Sequence, residues 1–283
     1  MAEQTPIRLD VEAVVKKKVG PRTPRFVINY LKRIVHEDIF NRFFSAHPDL
    51  KNYDFIREVI GPNLLNTSVS VSGTENLPQD GRPVCFASNH PLGGLDGMIL
   101  ALYLGEQRNY NVRVIVNELL MYLTPLQGIF VPVHVSGKGG QNREYAQKID
   151  ELYSSEADIL TFPSGKCSRK IQGKVQDPEW KKSFIQKSVQ HKRDIVPIYF
   201  DGQNSSFFYN LALWRTRLGI KTNIEMLYLA DEMFKATGKH FSIKIGKPIP
   251  YTTFDHSRTP AEWAQWVRGE AYGMKGSDAP NEE

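Results

Sequence analysis

The chain has 283 residues, 41% hydrophobic and 24% charged, which allows a sizeable core in one large α/β domain. Its two cysteines, Cys85 and Cys167, are too few for a disulfide framework or a four-thiolate zinc site, so both are expected to be reduced and no metal is expected. The net charge of +5 suits an anionic partner such as lipid headgroups or an acidic carrier protein. Nucleic acid is not expected, because the chain has no cysteine/histidine finger, glycine-bracketed aromatic motif or basic zipper.

The first residues, MAEQTPIRLDVEAVVKKKVG, place acids before the apolar positions and lack a small-residue cleavage site, unlike a secretory signal. The longest apolar runs, 98–104 and 129–135, fall far short of the ~20 residues that cross a bilayer, so a cytoplasmic setting without a spanning helix is expected. From residue 9 to about 60 apolar residues recur at steps of three and four, including Val11, Val14, Val15, Phe26, Ile28, Leu31, Ile34 and Val35. Lys16, Lys17, Lys18, Arg22, Arg25, Lys32 and Arg33 decorate this region, so it can pack on the main domain, lie on an anionic membrane, or do both.

After Pro83 short apolar runs alternate with amphipathic segments, the pattern of βαβ units. Strands are predicted near 84–88, 112–116, 130–135, 159–162, 195–200 and 241–245. Helices are predicted near 97–106, 118–123, 143–155, 180–190, 208–218, 224–236 and 261–274. The expected fold is α/β: a largely parallel central sheet flanked by helices, with an N-terminal helical extension. The division is residues 1–60 for a membrane-proximal helical region, 61–275 for the α/β domain and 276–283 for a frayed tail.

Chemistry concentrates in CFASNHPLGGLDGMIL, residues 85–100, where a strand gives way to a glycine-rich turn and then an apolar helix. Beyond the carboxyl ends of strands is where open α/β sheets bind ligands. Neutral His90 can take a hydroxyl proton near pH 7, and Asp96 can hold its tautomer once Gly93 and Gly94 fold the loop back. Equally, His90 and Asp96 can serve only as helix caps. A second strand-to-loop stretch, DILTFPSGKCSRK at 158–170, offers Gly165, Lys166, Arg169 and Lys170 to an oxyanion or a phosphate, or else is a solvated basic turn.

Together these stretches resemble the glycerolipid acyltransferase superfamily, the enzymes related to 1-acylglycerol-3-phosphate acyltransferase. The first motif of that family is Asn-His, four residues, then Asp; Asn89 and His90 match, and five residues precede Asp96. Its third motif, Phe-Pro-Glu-Gly-Thr, resembles Phe162-Pro163-Ser164-Gly165-Lys166, with Ser164 in the place of glutamate. The second corresponds loosely to GIFVPVH at 128–134, without the usual arginine, and the fourth is similar to Ile195-Val196-Pro197-Ile198. Order and spacing agree over about residues 83–200.

The resemblance implies acyl transfer from an acyl-carrier-protein or coenzyme A thioester, a co-substrate and not a bound cofactor, with His90 as general base and Asp96 orienting it. Loss of the motif-two arginine and motif-three glutamate argues against a glycerol-phosphate acceptor. The stretches HPLGGLDG and FPSGKCSRK look closer to a bacterial, hemolysin-like branch that includes O-acyltransferases completing glycine or ornithine lipids. Such an enzyme would acylate the 3-hydroxyl of an N-acylated amino acid held in the membrane, working peripherally at the cytoplasmic face of the inner membrane. Asn89, His134, Gly165, Lys166 and Arg169 are its candidate substrate contacts. Competing expectations are a lysophosphatidic acid acyltransferase, a Cys167 nucleophile, a thioesterase, and a non-catalytic lipid-binding or lytic protein. Phe207, Phe208, Tyr209 and Trp214 are read as an acyl channel or ordinary core.

Overall fold

The structure, a computed structural model, describes residues 8–18, 20–133, 141–220 and 223–276. Four helices come first: α1 (Val11–Lys18), α2 (Arg25–Val35), α3 (Glu37–Ala46) and α4 (Asn52–Ile60). Then follow β1 (Ser68–Ser72), β2 (Cys85–Ser88), α5 (Leu95–Gln107), β3 (Val112–Asn117), β4 (Phe130–Val133), α6 (Gln141–Ser154) and β5 (Asp158–Thr161). The rest comprises β6 (Arg169–Ile171), β7 (Lys174–Gln176), α7 (Ser183–Gln190), β8 (Ile195–Asp201), α8 (Ser206–Arg217), α9 (Leu229–Phe234), β9 (His240–Ile245) and α10 (Pro260–Gly273).

Seven strands form one sheet in the order β1-β9-β8-β2-β5-β3-β4, parallel except where β9 runs antiparallel to β8. Every residue of β2 and β5 is buried, as is all of β8 but its last, because helices cover both faces. Alternation along β2 sends Phe86 to the core under α4 and α5, and Cys85 and Ala87 to the core under α7 and α10. The three strands end side by side, with Ala87 opposite Thr161 and Ser88 opposite Ile198, so their carboxyl-end loops share one rim.

The helical start of the chain is part of this core. Phe43, Phe44, Phe55, Ile56 and Val59 pack in the same cluster as α5 and the sheet, so no packing boundary falls at residue 60. Gly105 permits it: a Cβ there would lie 2.4 Å from the Tyr53 ring, whose hydroxyl donates to the Val112 carbonyl at 2.7 Å. By contrast, Val11, Val15 and Ile28 of α1 and α2 form a small separate cluster.

Three local expectations are corrected. Segment 118–123 forms a short 3-10 turn, Glu118–Tyr122, and 224–236 divides into a 3-10 turn at Ile224–Tyr228 followed by α9. The presumed basic turn after Cys167 is the antiparallel β6–β7 hairpin, closed by Gln172 and Gly173, both at positive φ as a two-residue hairpin turn requires. Finally, SVSVS forms the unpredicted edge strand β1, mostly exposed and paired with β9. Among the described residues no helix is long and apolar enough to cross a membrane.

Candidate active site

The sequence after β2 has one extra residue between His90 and Asp96, and the backbone absorbs it at Gly93. That glycine adopts φ +81°, and a Cβ there would come within 2.9 Å of Leu229 and 3.1 Å of Cys167. Folded in this way, the loop brings Asp96, in the first turn of α5, back to the histidine. His90 Nδ1 lies 3.0 Å from Asp96 Oδ2. The fully buried carboxylate also accepts from the Leu92 N–H at 2.9 Å, the Gly93 N–H at 3.4 Å and the Gly97 N–H at 2.8 Å. These donors fix the carboxylate, so Nδ1–H is the proton it accepts from the ring, and Nε2 keeps its lone pair on a side chain that is 16% exposed.

Phe162, from the loop after β5, stacks on the imidazole with ring centroids 4.0 Å apart. Phe162 also lies against the first turn of α5, where a Cβ on Gly97 would meet the phenyl edge at an ordinary contact distance of 3.6 Å. Burial pulls the His90 pKa down, but the Asp96 charge and hydrogen bond, helped by Asp177, outweigh this and raise it above the ordinary imidazole value.

Asp177 was not legible as a site residue, yet it binds the two loops together. Its buried carboxylate accepts from the His90 N–H at 3.2 Å, the Ser168 hydroxyl at 2.6 Å and the Trp180 indole at 3.0 Å. Ser168 N–H in turn donates to the His90 carbonyl at 2.7 Å. Burial pushes the Asp177 carboxyl up despite those donors. Replacing Asp177 with asparagine is expected to lower kcat by up to about 10²-fold through misplacement of His90. The acid limb of the pH profile should also move to lower pH, because a charge that raises the histidine is gone; steady-state rates from pH ~5 to 9 test both parts.

Several predicted contacts are corrected by their actual partners. Asn89 does not face substrate: its amide donates to the Phe200 carbonyl at 2.9 Å and accepts from the Phe200 N–H at 2.7 Å, pinning the motif loop to β8. Gly165 is not an oxyanion donor, because its N–H closes a turn onto the Phe162 carbonyl at 2.9 Å, at φ +64°. The two terminal nitrogens of Arg169 are occupied by the Cys167 carbonyl at 3.0 Å, Cys167 Sγ at 2.8 Å and Glu225 at 2.9 Å, which makes it a brace. Lys166 does stand exposed on this rim, and Lys181, unremarked in the sequence, holds its ammonium over Gly165, where a Cβ would be 2.8 Å away. His134 lies outside the described residues.

A family model described as Acyltransferase matches residues 12–280. Two relatives named lyso-glycine lipid O-acyltransferase, from Phocaeicola vulgatus and Bacteroides thetaiotaomicron, are each 44% identical over 277 residues, covering 97% of this chain and 98% and 100% of theirs. The chain belongs to the acyltransferase family. The crystal structure of the 1-acyl-sn-glycerophosphate acyltransferase PlsC from Thermotoga maritima shares its fold, with a TM-score of 0.50 and 15% identity over 92% of this chain and 89% of that one.

As an acyltransferase the protein is an enzyme, which sets aside the purely lytic reading. Motif three departs from its usual form in a structured way: Ser164 is buried and its hydroxyl donates to the Lys166 carbonyl at 2.6 Å, shaping the loop. Cys167 is also fully buried, and burial pushes its thiol up in spite of Arg169, opposite to what a nucleophile requires. The acyltransferase carrying Cys167→Ser is therefore expected to keep its rate within about threefold and to form no thiol-linked acyl-enzyme, as read by intact-protein mass spectrometry.

Proposed function

We propose that this acyltransferase moves a fatty acyl group from an acyl-carrier-protein or coenzyme A thioester to the 3-hydroxyl of an N-acylated amino acid of the lyso-glycine lipid type. The chemistry rests on one observation, the His90–Asp96 pair at 3.0 Å, which ties up Nδ1 of a partly exposed imidazole. The choice of acceptor is supported by relatives of that name that match 97% of this chain.

In the proposed reaction, Nε2 accepts the hydroxyl proton as the acceptor oxygen attacks the thioester carbonyl. The tetrahedral intermediate then expels the thiolate, which takes the proton from the imidazolium. One ester and one free thiol result, and no acyl-enzyme forms. Asp96 stabilises the imidazolium that exists between these proton transfers. General-base assistance contributes about 10²–10⁴-fold, and alignment of the two substrates must provide much of the rest.

A lyso-glycine acceptor ends in a carboxylate and carries no phosphate. Lys166 and Lys181 are the cations suited to it, since no carboxylate pairs with either among the described residues. The acceptor resides in a membrane, so the enzyme works as a peripheral protein at the cytoplasmic face of the inner membrane. The test presents equal concentrations of N-(3-hydroxyacyl)glycine, its 3-deoxy analogue and lysophosphatidic acid. Acylation of the first alone is the expected outcome; preferential acylation of lysophosphatidic acid would overturn the acceptor assignment.

A further inference from the structure

Several of the exposed large apolar side chains lie on α2 and α8. Along α8 and its C-cap, Phe207, Leu211, Trp214 and Leu218 follow spacings of four, three and four and line the outward stripe, while Phe208, Tyr209 and Ala212 are buried on the inner face. Trp214 is 60% and Leu218 69% exposed. The stripe continues onto α2, whose Phe26 is 75% exposed: Phe207 packs edge-on against Tyr228 at 5.0 Å, and Tyr228 in turn contacts Tyr30. A groove of about 490 Å³ at this junction is lined by Tyr30, Arg33 and Ile34 of α2 together with Phe207, Tyr228 and Asp231.

The two helices that carry this stripe have charges of one sign. Helices α2 and α8 contain no acidic residue and five cationic ones, Arg25, Lys32, Arg33, Arg215 and Arg217. Arg215 is held by buried Glu225, and Lys32 lies near Glu12 and Glu37. Arg33 and Arg217 form no ion pair with a carboxylate among the described residues, whereas the charge of Arg25 helps to lower the Glu12 carboxyl. The acids of α9 are engaged internally, Asp231 by His36 and Lys235, and Glu232 by Ser205 and Lys235.

The same face adjoins the catalytic loop. Met226, in the 3-10 turn packed on α8, places its sulfur 3.9 Å from Cys167 Sγ, and the next residue, Ser168, donates to the His90 carbonyl. One loop therefore separates the apolar surface from the dyad. We infer that the outer stripe of α8, joined to Phe26 and Tyr30 of α2, is the face that seats the enzyme on an anionic lipid bilayer and brings its lipid acceptor to His90.

This inference rests on the lipid-acceptor reading above. Apolar side chains beside unpaired arginines suit an interfacial helix over negatively charged headgroups. A second copy of this chain would oppose cation to cation across the same surface. An acidic carrier protein would be drawn by the arginines but would leave the tryptophan and leucine stripe unexplained.

Trp214 provides a reporter, because Trp180 and Trp263 are buried and Trp266 is partly buried against the core. Wild-type enzyme is sedimented with phosphatidylethanolamine–phosphatidylglycerol vesicles and with phosphatidylcholine vesicles, and its fluorescence is followed with chain-brominated lipids. Two variants are compared, Trp214→Ser with Leu218→Ser, and Arg33→Glu with Arg217→Glu; the second changes only exposed charges, so folding does not confound it. Acyl transfer is measured to acceptor in vesicles and to a short-chain monomeric acceptor.

Wild-type binding is expected to favour the anionic vesicles, with quenching that is absent in Trp214→Phe. Each double variant should lose about tenfold or more in vesicle binding and in turnover of vesicle-held acceptor. Turnover of the monomeric acceptor should remain within about twofold, since none of these residues belongs to the hydrogen-bonded site. Wild-type vesicle binding by both variants, or a raised KM for acyl carrier protein with binding to vesicles intact, would overturn the inference. Absence of transfer to any acceptor would instead refute the functional reading, while the vesicle measurements would still decide the docking face.

Discussion

Replacing His90 with alanine is expected to lower kcat by about 10²–10⁴-fold, the contribution of a positioned general base. The ring forms one polar bond, to Asp96, and stacks on Phe162. Its loss removes the proton acceptor and leaves intact the backbone bonds from His90 to Asp177 and Ser168, which hold the loop. The thermal midpoint and the KM of the thioester should change little, so the defect lies in the chemical step. A kcat close to wild type would show that the proton is removed elsewhere.

Replacing Asp96 with asparagine is the second large effect expected, a loss of about 10²–10⁴-fold in kcat with a displaced pH profile. In the wild type the His90 pKa is raised, after the depressing effect of burial, chiefly by the Asp96 charge and hydrogen bond. The base acts as neutral imidazole, so protonation removes activity as pH falls through this raised value; the acid limb of kcat/KM should lie above the ordinary histidine value of about 6.5. Without the Asp96 charge, burial dominates and the limb should move to lower pH. The residual rate should stay low at every pH, because an amide can present its N–H₂ to Nδ1 and direct the wrong tautomer toward the substrate. An unchanged limb would mean that His90 is not the titrating group.

The fold was legible where burial is two-sided. Residues 84–88, 159–162 and 195–200 appear as short continuous apolar runs because helices cover both faces of β2, β5 and β8. Edge strand β1 was hidden by its serines, which are tolerated because four of its five positions are exposed. The β6–β7 hairpin was masked by its lysines, with only Gln172-Gly173 marking the turn.

For the site, local chemistry was readable and long-range pairing was not. His90 and Asp96 fall six positions apart on one glycine turn, so their meeting could be expected from neighbouring residues. Asp177 comes 87 positions after His90, past the hairpin, with no signal beyond an acid next to a proline and near a tryptophan. Arg169 looked available because Glu225, its ion-pair partner, stands 56 positions later. Asn89 belongs to the motif, but only the register of β2 against β8 reveals that it is a backbone clamp. Helical spacing alone makes Phe207 and Trp214 channel or core residues, whereas both are exposed on α8.

The most direct measurement follows thiol release from an acyl thioester by purified enzyme with and without N-(3-hydroxyacyl)glycine, with the lipid products read by mass spectrometry. The expected result is release that depends on the acceptor, with one new ester on the 3-hydroxyl for each thiol formed. Equal release without acceptor, with free fatty acid as the product, would contradict acyl transfer to an aminolipid and make the enzyme a hydrolase.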